Sequence, residues 1–127
     1  MPLCTAERIA VVPWSPLARG RLTRVWDTET ARTRTDEFGN KLYVSTIDAD
    51  RRVVEQVAAV AAARGVPKAQ VALAWIAHKP YVTAPIVGAS KAQHIEDAVA
   101  ALTLHLEPAE IAQLEAPYVP HARSGHS

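Results

Sequence analysis

The sequence predicts an α/β fold with parallel strands, of which this chain carries only a part. Two apolar runs, at positions 9–12 and 82–87, suit strands buried on both faces, as in parallel sheets. Helical patterns follow each run, and this β-α-β-α order is typical of a parallel sheet covered by helices. Two strands are too few for a stable parallel sheet and would leave apolar edges exposed. The sequence is therefore expected to be an incomplete unit.

Composition and charge limit the class of protein. The 127 residues favour one domain, and 49% hydrophobic against 21% charged residues indicates a globular chain. Fourteen basic and thirteen acidic residues leave a net charge of +1, which gives no case for a nucleic-acid partner. No apolar run is long enough for a membrane span. Cys4 is the single cysteine, which fits a reducing compartment, so a cytoplasmic location is expected.

The N-terminal part of the sequence combines a helix end, the first strand and a long polar loop. Positions 1–8 are expected to be the end of a helix. The strand at 9–12 stops at Pro13, which has no N–H for a ladder hydrogen bond. A turn-rich loop follows at 15–20. The polar stretch at about 22–45 is predicted to be irregular, because loops of that length are usually functional lids or disordered.

Four further helices are predicted from apolar residues at helical spacing. Their bounds are 48–64, 69–78, 91–102 and 108–115. Gly65 suits the left-handed residue that ends the first of them, and Pro67 suits the first turn of the second. The second is apolar on nearly all sides and is expected to be largely buried. A tail, 117–127, follows the last.

The segment 84–101 has the pattern of a strand, a glycine turn and the start of a helix, an arrangement that often binds anions. The N–H groups of a first helical turn and the positive end of the helix dipole attract negative charge. Ser90 is predicted to cap this helix in a capping box with Gln93, and Lys91 adds a positive charge. An ordinary connection without a ligand is the alternative, because small residues and caps are routine in turns.

Two loop motifs carry a resemblance to a known family. Residues 14–20 (WSPLARG) and 85–91 (PIVGASK), the latter followed by HIED at 94–97, resemble segments of the aldo-keto reductases. The YVPH at 118–121 is similar to the tail of a bacterial subgroup, and VALAW at 71–75 also matches. The resemblance implies a (β/α)8 TIM barrel that binds NADPH. In such barrels the loops after strands seven and eight commonly form a phosphate site.

The resemblance covers essentially the whole chain and implies that residues 1–127 are the C-terminal fragment of a reductase domain. It would comprise strands seven and eight with their helices and a C-terminal extra helix, incomplete as a barrel. The implied function is the cofactor-binding part of an NADPH-dependent reductase of aldehydes or ketones, inactive alone. The family's catalytic Asp, Tyr, Lys and His have no matching motif, because Tyr43, Tyr81 and Tyr118 lie in other segments. No catalytic residue is therefore predicted.

Eleven positions are implied as cofactor contacts by the same resemblance. Those on the pyrophosphate and nicotinamide-ribose side are Trp14, Ser15, Pro16, Leu17 and Ala18. Those holding the adenosine 2′-phosphate are Gly88, Ser90 and Lys91, of which Lys91 favours NADPH over NADH. Those beside the adenosine are His94 and Asp97, and Arg32 is a looser candidate for a phosphate contact. Ala98 stands where many relatives place an Asn against adenine, which removes a hydrogen bond worth about 1 kcal/mol.

Non-catalytic interpretations remain open. A half-barrel with exposed strand edges is expected to pair with a copy of itself or with a chain carrying the missing strands, as a nucleotide-binding or interaction module. A fragment that folds poorly is the third interpretation. The five histidines form no metal-binding pattern, because His121 and His126 lie in a polar tail and His78 is expected to be a core or cap residue.

Overall fold

The computed structural model describes residues 2–26 and 46–120. Within them lie the helices α1 (Pro2–Ala6), α2 (Ile47–Arg64), α3 (Lys68–Ala77), α4 (Ala92–Ala101) and α5 (Pro108–Glu115), and a short 3-10 turn at Ala18–Gly20. Most of the polar loop predicted at 22–45, including Arg32 and Tyr43, and the end of the tail lie outside the described residues. The described part of the chain is thus built of helices and connecting loops.

The four longer helices confirm the sequence prediction to within one residue at each end. The end of α2 shows why: Gly65 has φ 66°, the left-handed conformation that glycine adopts without steric cost. Its N–H donates to the Ala62 carbonyl at 3.2 Å, and the Val66 N–H donates to the Ala61 carbonyl at 3.1 Å. These bonds close the helix. Pro67 lies one position before α3 and is its N-cap, not part of its first turn.

The core sits on both sides of α3. One buried cluster joins α2, α3 and α5 and consists of Val57, Val60, Ala61, Val71 and Leu114. A second joins α3 to α4 and consists of Leu73, Ala74 and Ala101. The prediction that α3 is largely buried is confirmed, since Val71 and Ala74 have no exposed surface. Burial on two sides makes α3 the central element of the described structure.

The predicted strands at 9–12 and 82–87 do not form in the described residues, which contain one isolated bridge at this place. That bridge is parallel and joins Trp14 to Ile86. Beside it, the Thr83 N–H donates to the Val11 carbonyl at 2.8 Å and the Ile86 N–H donates to the Pro13 carbonyl at 2.9 Å. The two runs therefore lie side by side in the predicted parallel direction, but the ladder is too short to make a strand.

Proline and solvent exposure account for the missing strands. Pro13 and Pro85 have no N–H, so each removes a donor from the ladder within the run. The expected burial on both faces is also wrong for the first run, because Ile9 is 54% and Val12 48% exposed. Parallel strands are stable when neighbouring strands and helices cover both faces, and the described residues do not provide that cover here.

Candidate functional site

A cleft of about 890 Å³ lies where the two paired runs end, next to Trp14 and Ile86. Three elements form its walls: the loop that follows the first run, the beginning of α3, and the turn leading into α4. This volume falls within the usual range of about 300–1,000 Å³ for small-molecule sites. The structure thus brings the loop at 14–24 together with two segments that lie more than forty residues further along the sequence.

Eight of the eleven residues predicted as cofactor contacts line this cleft. They are Trp14, Ser15, Pro16, Leu17, Gly88, Lys91, His94 and Asp97. Ala18 and Ser90 are not among the lining residues, although each is next in sequence to one or more of them. Arg32 lies outside the described residues. The shared cleft is a structural finding, whereas the contact of these residues with a cofactor stays a prediction.

The loop at 15–20 has an unusual backbone. Ser15, Ala18 and Arg19 have φ of 51°, 48° and 56°, and Gly20 has φ of 91°. The left-handed region costs a non-glycine residue about 1–2 kcal/mol because its Cβ approaches the carbonyl oxygen. A loop with three such residues needs hydrogen bonds from outside the turn to hold it. Strain of this kind is commonly found at functional sites.

The carbonyl of Gly20 is where those hydrogen bonds converge. Its oxygen accepts the Thr23 hydroxyl at 3.1 Å and the Arg24 Nε at 3.1 Å, in addition to the N–H groups of both residues at 3.2 Å. Arg24 Nη2 donates to the neighbouring Arg19 carbonyl at 3.1 Å. The sequence analysis did not select Thr23 or Arg24. Their spacing of three and four residues from Gly20, in a stretch rich in arginine, is the signal that could have identified them.

The beginning of α3 contributes a third residue that was not predicted from the sequence. Lys68 lines the cleft, and its Nζ donates to the Arg24 carbonyl at 2.7 Å. This bond ties the loop to the first residue of the most buried helix. Lys68 directly follows Pro67, the N-cap of α3. Nothing in the sequence indicates which loop its side chain reaches, because Arg24 and Lys68 are 44 positions apart.

The beginning of α4 differs from the prediction. Lys91, not Ser90, is the N-cap residue, and it makes no side-chain capping hydrogen bond. The predicted capping box with Gln93 is therefore wrong, and the Ser90 N–H instead donates to His94 Nδ1 at 3.3 Å. A capping box is instead present at α5, between Glu107 and Glu110. The first turn of α4 thus meets the cleft without a side-chain oxygen over its N–H groups.

Asp97 is the buried acidic group of the cleft, with 8% of its surface exposed. Its Oδ1 accepts hydrogen bonds from Gln70 Nε2 at 2.9 Å and from Gln93 Nε2 at 3.3 Å. Gln70 lies on α3, whereas Gln93 is on α4 with Asp97, so the carboxylate links the two helices. Gln70 was not selected from the sequence, since its contact depends on how the helices pack.

The described residues that line the cleft include more cationic than acidic side chains. The cationic side chains among the described lining residues are Arg19, Arg24, Lys68 and Lys91. Asp97 is the acidic one, and two amide groups already engage it. The N-terminus of α4 adds a partial positive charge at the same place. Among residues 2–26 and 46–120, no group of three or more His, Cys, Asp or Glu is arranged to hold a metal ion.

Tyr81, Tyr118 and Cys4 are not among the residues that line this cleft. Tyr81 and Cys4 line a separate, smaller cavity of about 380 Å³. Tyr118 is 62% exposed. Cys4 is half-buried and not disulfide-bonded. His78 is the C-cap of α3, and its Nδ1 pairs with the Ala74 carbonyl at 3.0 Å, as the cap interpretation predicts. In the described ranges, no helix has the length and apolar character that crossing a membrane requires.

Comparison with known proteins matches the chain to one family over nearly its full length. The sequence model of the Aldo/keto reductase family matches residues 1–118. Versiconal hemiacetal acetate reductase of Aspergillus parasiticus is 36% identical over 124 residues, which are 96% of this chain and 36% of that protein. Aldo-keto reductases of Fusarium vanettenii and Metarhizium robertsii are 36% and 38% identical over 125 residues, 98% of this chain and 33% of each relative. The chain thus spans about a third of the length of these relatives.

Proposed function

Because the chain belongs to the aldo/keto reductase family, whose fold is a (β/α)8 barrel, we propose that it forms the cofactor-binding part of an oxidoreductase. The cofactor is NADPH, and the reaction of the complete enzyme is the reduction of an aldehyde or ketone to an alcohol. In this proposal the runs at 9–12 and 82–87 correspond to barrel strands seven and eight, and residues 1–127 to the C-terminal part of the domain. Neighbouring strands of a complete barrel would supply the pairing and cover that these runs lack.

One observation supports this proposal most strongly. The loop at 14–20 and the segment at 85–91, which are the two motifs of the family resemblance, contribute residues to the lining of one cleft. Four cationic side chains also line it, and those of Arg24 and Lys68 donate to backbone carbonyls. A phosphate group is a strong hydrogen-bond acceptor, and both Lys and Arg bind it well. The donor set of the cleft therefore suits the pyrophosphate and 2′-phosphate groups of NADPH.

The proposed contacts fall into groups according to the part of the cofactor that they would hold. Trp14, Ser15, Pro16, Leu17 and Ala18 would hold the pyrophosphate and nicotinamide-ribose side. Gly88, Ser90 and Lys91 would hold the 2′-phosphate, and His94 and Asp97 the adenosine side. Arg32 is kept as a candidate phosphate contact. When bound, NADPH supplies a hydride to the carbonyl carbon of the substrate.

The hydrogen bonds of Asp97 refine its proposed role. Its Oδ1 is engaged by Gln70 and Gln93, so the carboxylate holds α4 against α3 at the cleft wall. Its contribution to cofactor binding would come mainly from this placement of α4. His94 is the more exposed of the two adenosine-side residues and has its Nδ1 engaged by the Ser90 N–H.

Binding of NADPH and NADH to the purified chain tests this proposal. Quenching of tryptophan fluorescence is the readout, since Trp14 lies at the cleft. Lys91→Met should raise the Kd for NADPH about tenfold, because one charge-assisted hydrogen bond is lost. The Kd for NADH should stay unchanged. Arg51→Met is the control, because Arg51 pairs with Glu55 on an exposed face of α2. Absence of NADPH binding by the unaltered chain would refute the proposal.

The second part of the proposal concerns activity. None of the tyrosines described lines the cleft, and the sequence has no match to the family's catalytic Asp, Tyr, Lys and His. We therefore expect the isolated chain to bind NADPH without oxidising it in the presence of aldehydes. NADPH consumption that increases in proportion to the concentration of pure protein would show that the catalytic group is present after all.

An exposed apolar stripe favours a second candidate function, that of a self-associating interaction module. Ile95 and Val99 on α4 and Leu102, its C-cap, lie at helical spacing and are 58%, 61% and 59% exposed. Apolar surface of this kind gains free energy when a partner covers it. Sedimentation should then show a dimer that Val99→Glu converts to a monomer. A chain that is monomeric at every concentration measured would exclude this function.

A further inference from the structure

We propose that Arg24 and Lys68 form a clamp that fixes the cleft loop, residues 15–24, in a conformation ready to bind the cofactor. In this role Arg24 is a positioning residue that acts through the loop backbone and not a direct contact to phosphate. The inference rests on the proposed function for the identity of the ligand, although the clamp itself is defined by contacts within the protein. Neither residue belongs to the set implied by the family resemblance.

The cleft loop has a strained conformation that such a clamp would help to hold. Ser15, Ala18 and Arg19 all adopt the left-handed region, where non-glycine residues are disfavoured. Two hydrogen bonds lie within the turn itself. The Gly20 N–H donates to the Leu17 carbonyl at 2.9 Å, and the Arg21 N–H donates to the Ala18 carbonyl at 3.1 Å. These bonds do not connect the turn to the rest of the protein. Bonds from outside the turn must keep it in this strained form.

Arg24 supplies the first of these bonds. Its Nε donates to the Gly20 carbonyl and its Nη2 to the Arg19 carbonyl, both at 3.1 Å. A guanidinium holds its N–H groups in a rigid plane, so two adjacent carbonyls are engaged in one fixed geometry. A Cβ placed on Gly20 would lie only 3.1 Å from Arg24 Nε, which shows how closely the side chain covers the turn. The guanidinium is thus directed at the loop backbone.

Lys68 supplies the second bond and connects the loop to the core. Its Nζ donates to the Arg24 carbonyl at 2.7 Å. Lys68 is the first residue of α3, whose Val71 and Ala74 are completely buried between the two apolar clusters. The loop is thereby attached to a helix that is packed on two sides. Lys68 would keep Arg24 in place, and Arg24 would keep the turn in place.

The clamp predicts an effect on binding that differs from that of Lys91. The cleft loop is proposed to face the pyrophosphate and nicotinamide ribose, which NADPH and NADH share. A loosened loop would therefore raise the Kd for both cofactors by the same factor. Loss of a direct contact to the 2′-phosphate, as proposed for Lys91, would weaken the binding of NADPH alone.

Limited proteolysis with trypsin tests the clamp without any cofactor. Cleavage after Arg19 and Arg21 is followed by mass spectrometry in the unaltered chain and in Lys68→Met, which keeps both cleavage sites. We expect cleavage in Lys68→Met to be about fivefold faster, because one hydrogen bond that holds the loop is lost. The urea midpoint should not change. Lys91→Met is the matched control, because Lys91 lines the same cleft on α4, and it should be cleaved at the normal rate. Equal rates in Lys68→Met and the unaltered chain would overturn the clamp.

Cofactor binding by Arg24 variants separates positioning from direct contact. Arg24→Lys retains the charge but loses the fork that reaches two carbonyls, so it should raise the Kd for NADPH and NADH by the same factor, as should Arg24→Gln. Normal binding by Arg24→Lys, or a loss confined to NADPH, would overturn the positioning role. If the unaltered chain binds neither cofactor, the proposed function fails, and the proteolysis result still decides whether the clamp exists.

Discussion

Gln70 Nε2 lies 2.9 Å from Asp97 Oδ1, and this hydrogen bond joins α3 to α4 at the wall of the cleft. Asp97 is 8% exposed, so most of its hydration has been replaced by protein contacts. Removing the acceptor would leave the Gln70 amide without this partner in a partly buried place. Hydrogen bonds to a charged group are among the stronger ones in proteins.

Asp97→Ala is therefore expected to lower the free energy of unfolding by about 1–3 kcal/mol. Asp97→Asn should cost less, because the amide oxygen still accepts a hydrogen bond. The comparison variant is Glu96→Ala, which removes an exposed carboxylate from the same helix and should change stability by no more than about 0.5 kcal/mol. Urea denaturation measures all three. Equal midpoints for Asp97→Ala and Glu96→Ala would contradict a linking role for Asp97.

Gly20→Ala is expected to destabilise the cleft loop. Gly20 has φ of 91°, and an added Cβ would lie 3.1 Å from Arg24 Nε, so the new methyl group must displace the guanidinium. Adopting this φ should cost alanine about 1 kcal/mol relative to glycine, and the displaced hydrogen bonds add to that. The expected readouts are a lower urea midpoint and faster tryptic cleavage after Arg21.

Gly88→Ala provides the matched control for that change. A Cβ at Gly88 would meet no atom within 4 Å, and its φ is outside the left-handed region. Its urea midpoint should equal that of the unaltered chain, although it lines the same cleft. If both glycine variants lose equal stability, the backbone conformation of Gly20 is not what determines the effect.

The Arg64–Glu110 pair predicts a pH-dependent contribution to stability. Arg64 Nε and Nη2 each donate to Glu110 at 2.6 Å, and these bonds, with one from the Glu107 N–H, lower the pKa of Glu110 from 4.5 to about 2. Because the folded-state pKa is below the unfolded value, the contribution is present above pH 4.5 and is lost as the pH falls toward 2. The pair is at the surface, so water and salt keep the effect small.

Glu110→Gln tests this by comparison with the unaltered chain over that pH range. The difference in their urea midpoints should be present at neutral pH and disappear near pH 2. Glu96→Gln is the control, since it neutralises an exposed carboxylate that forms no ion pair with the residues that the structure describes. A midpoint difference for Glu110→Gln that stays constant with pH would show that ionisation of Glu110 does not contribute.

Val71→Ala tests the central position of α3. Val71 has no exposed surface and belongs to the cluster shared by α2, α3 and α5. Removing its methyl groups should cost about 2 kcal/mol from lost burial and the cavity that remains. Val99→Ala removes the same groups from a residue that is 61% exposed and should cost no more than about 0.5 kcal/mol. Similar losses would mean that the stripe on α4 is covered in solution.

Helix positions in this chain follow from the sequence because helices depend on neighbouring residues. Apolar spacing, Gly65 after α2 and Pro108 at the start of α5 locate the ends to within one residue. The loop motifs at 14–20 and 85–91 likewise identify the family without any structure. They also select most of the residues that line the cleft.

The sequence alone did not predict the features that depend on distant partners. Whether an apolar run becomes a strand depends on the strands beside it. Next to the runs at 9–12 and 82–87, the described residues form a single bridge, between Trp14 and Ile86. The contacts of Arg24 with Lys68 and of Gln70 with Asp97 join residues 44 and 27 positions apart. Local spacing decides where a helix begins and ends, but only the packing of α3 between its neighbours decides which side chains meet in the cleft.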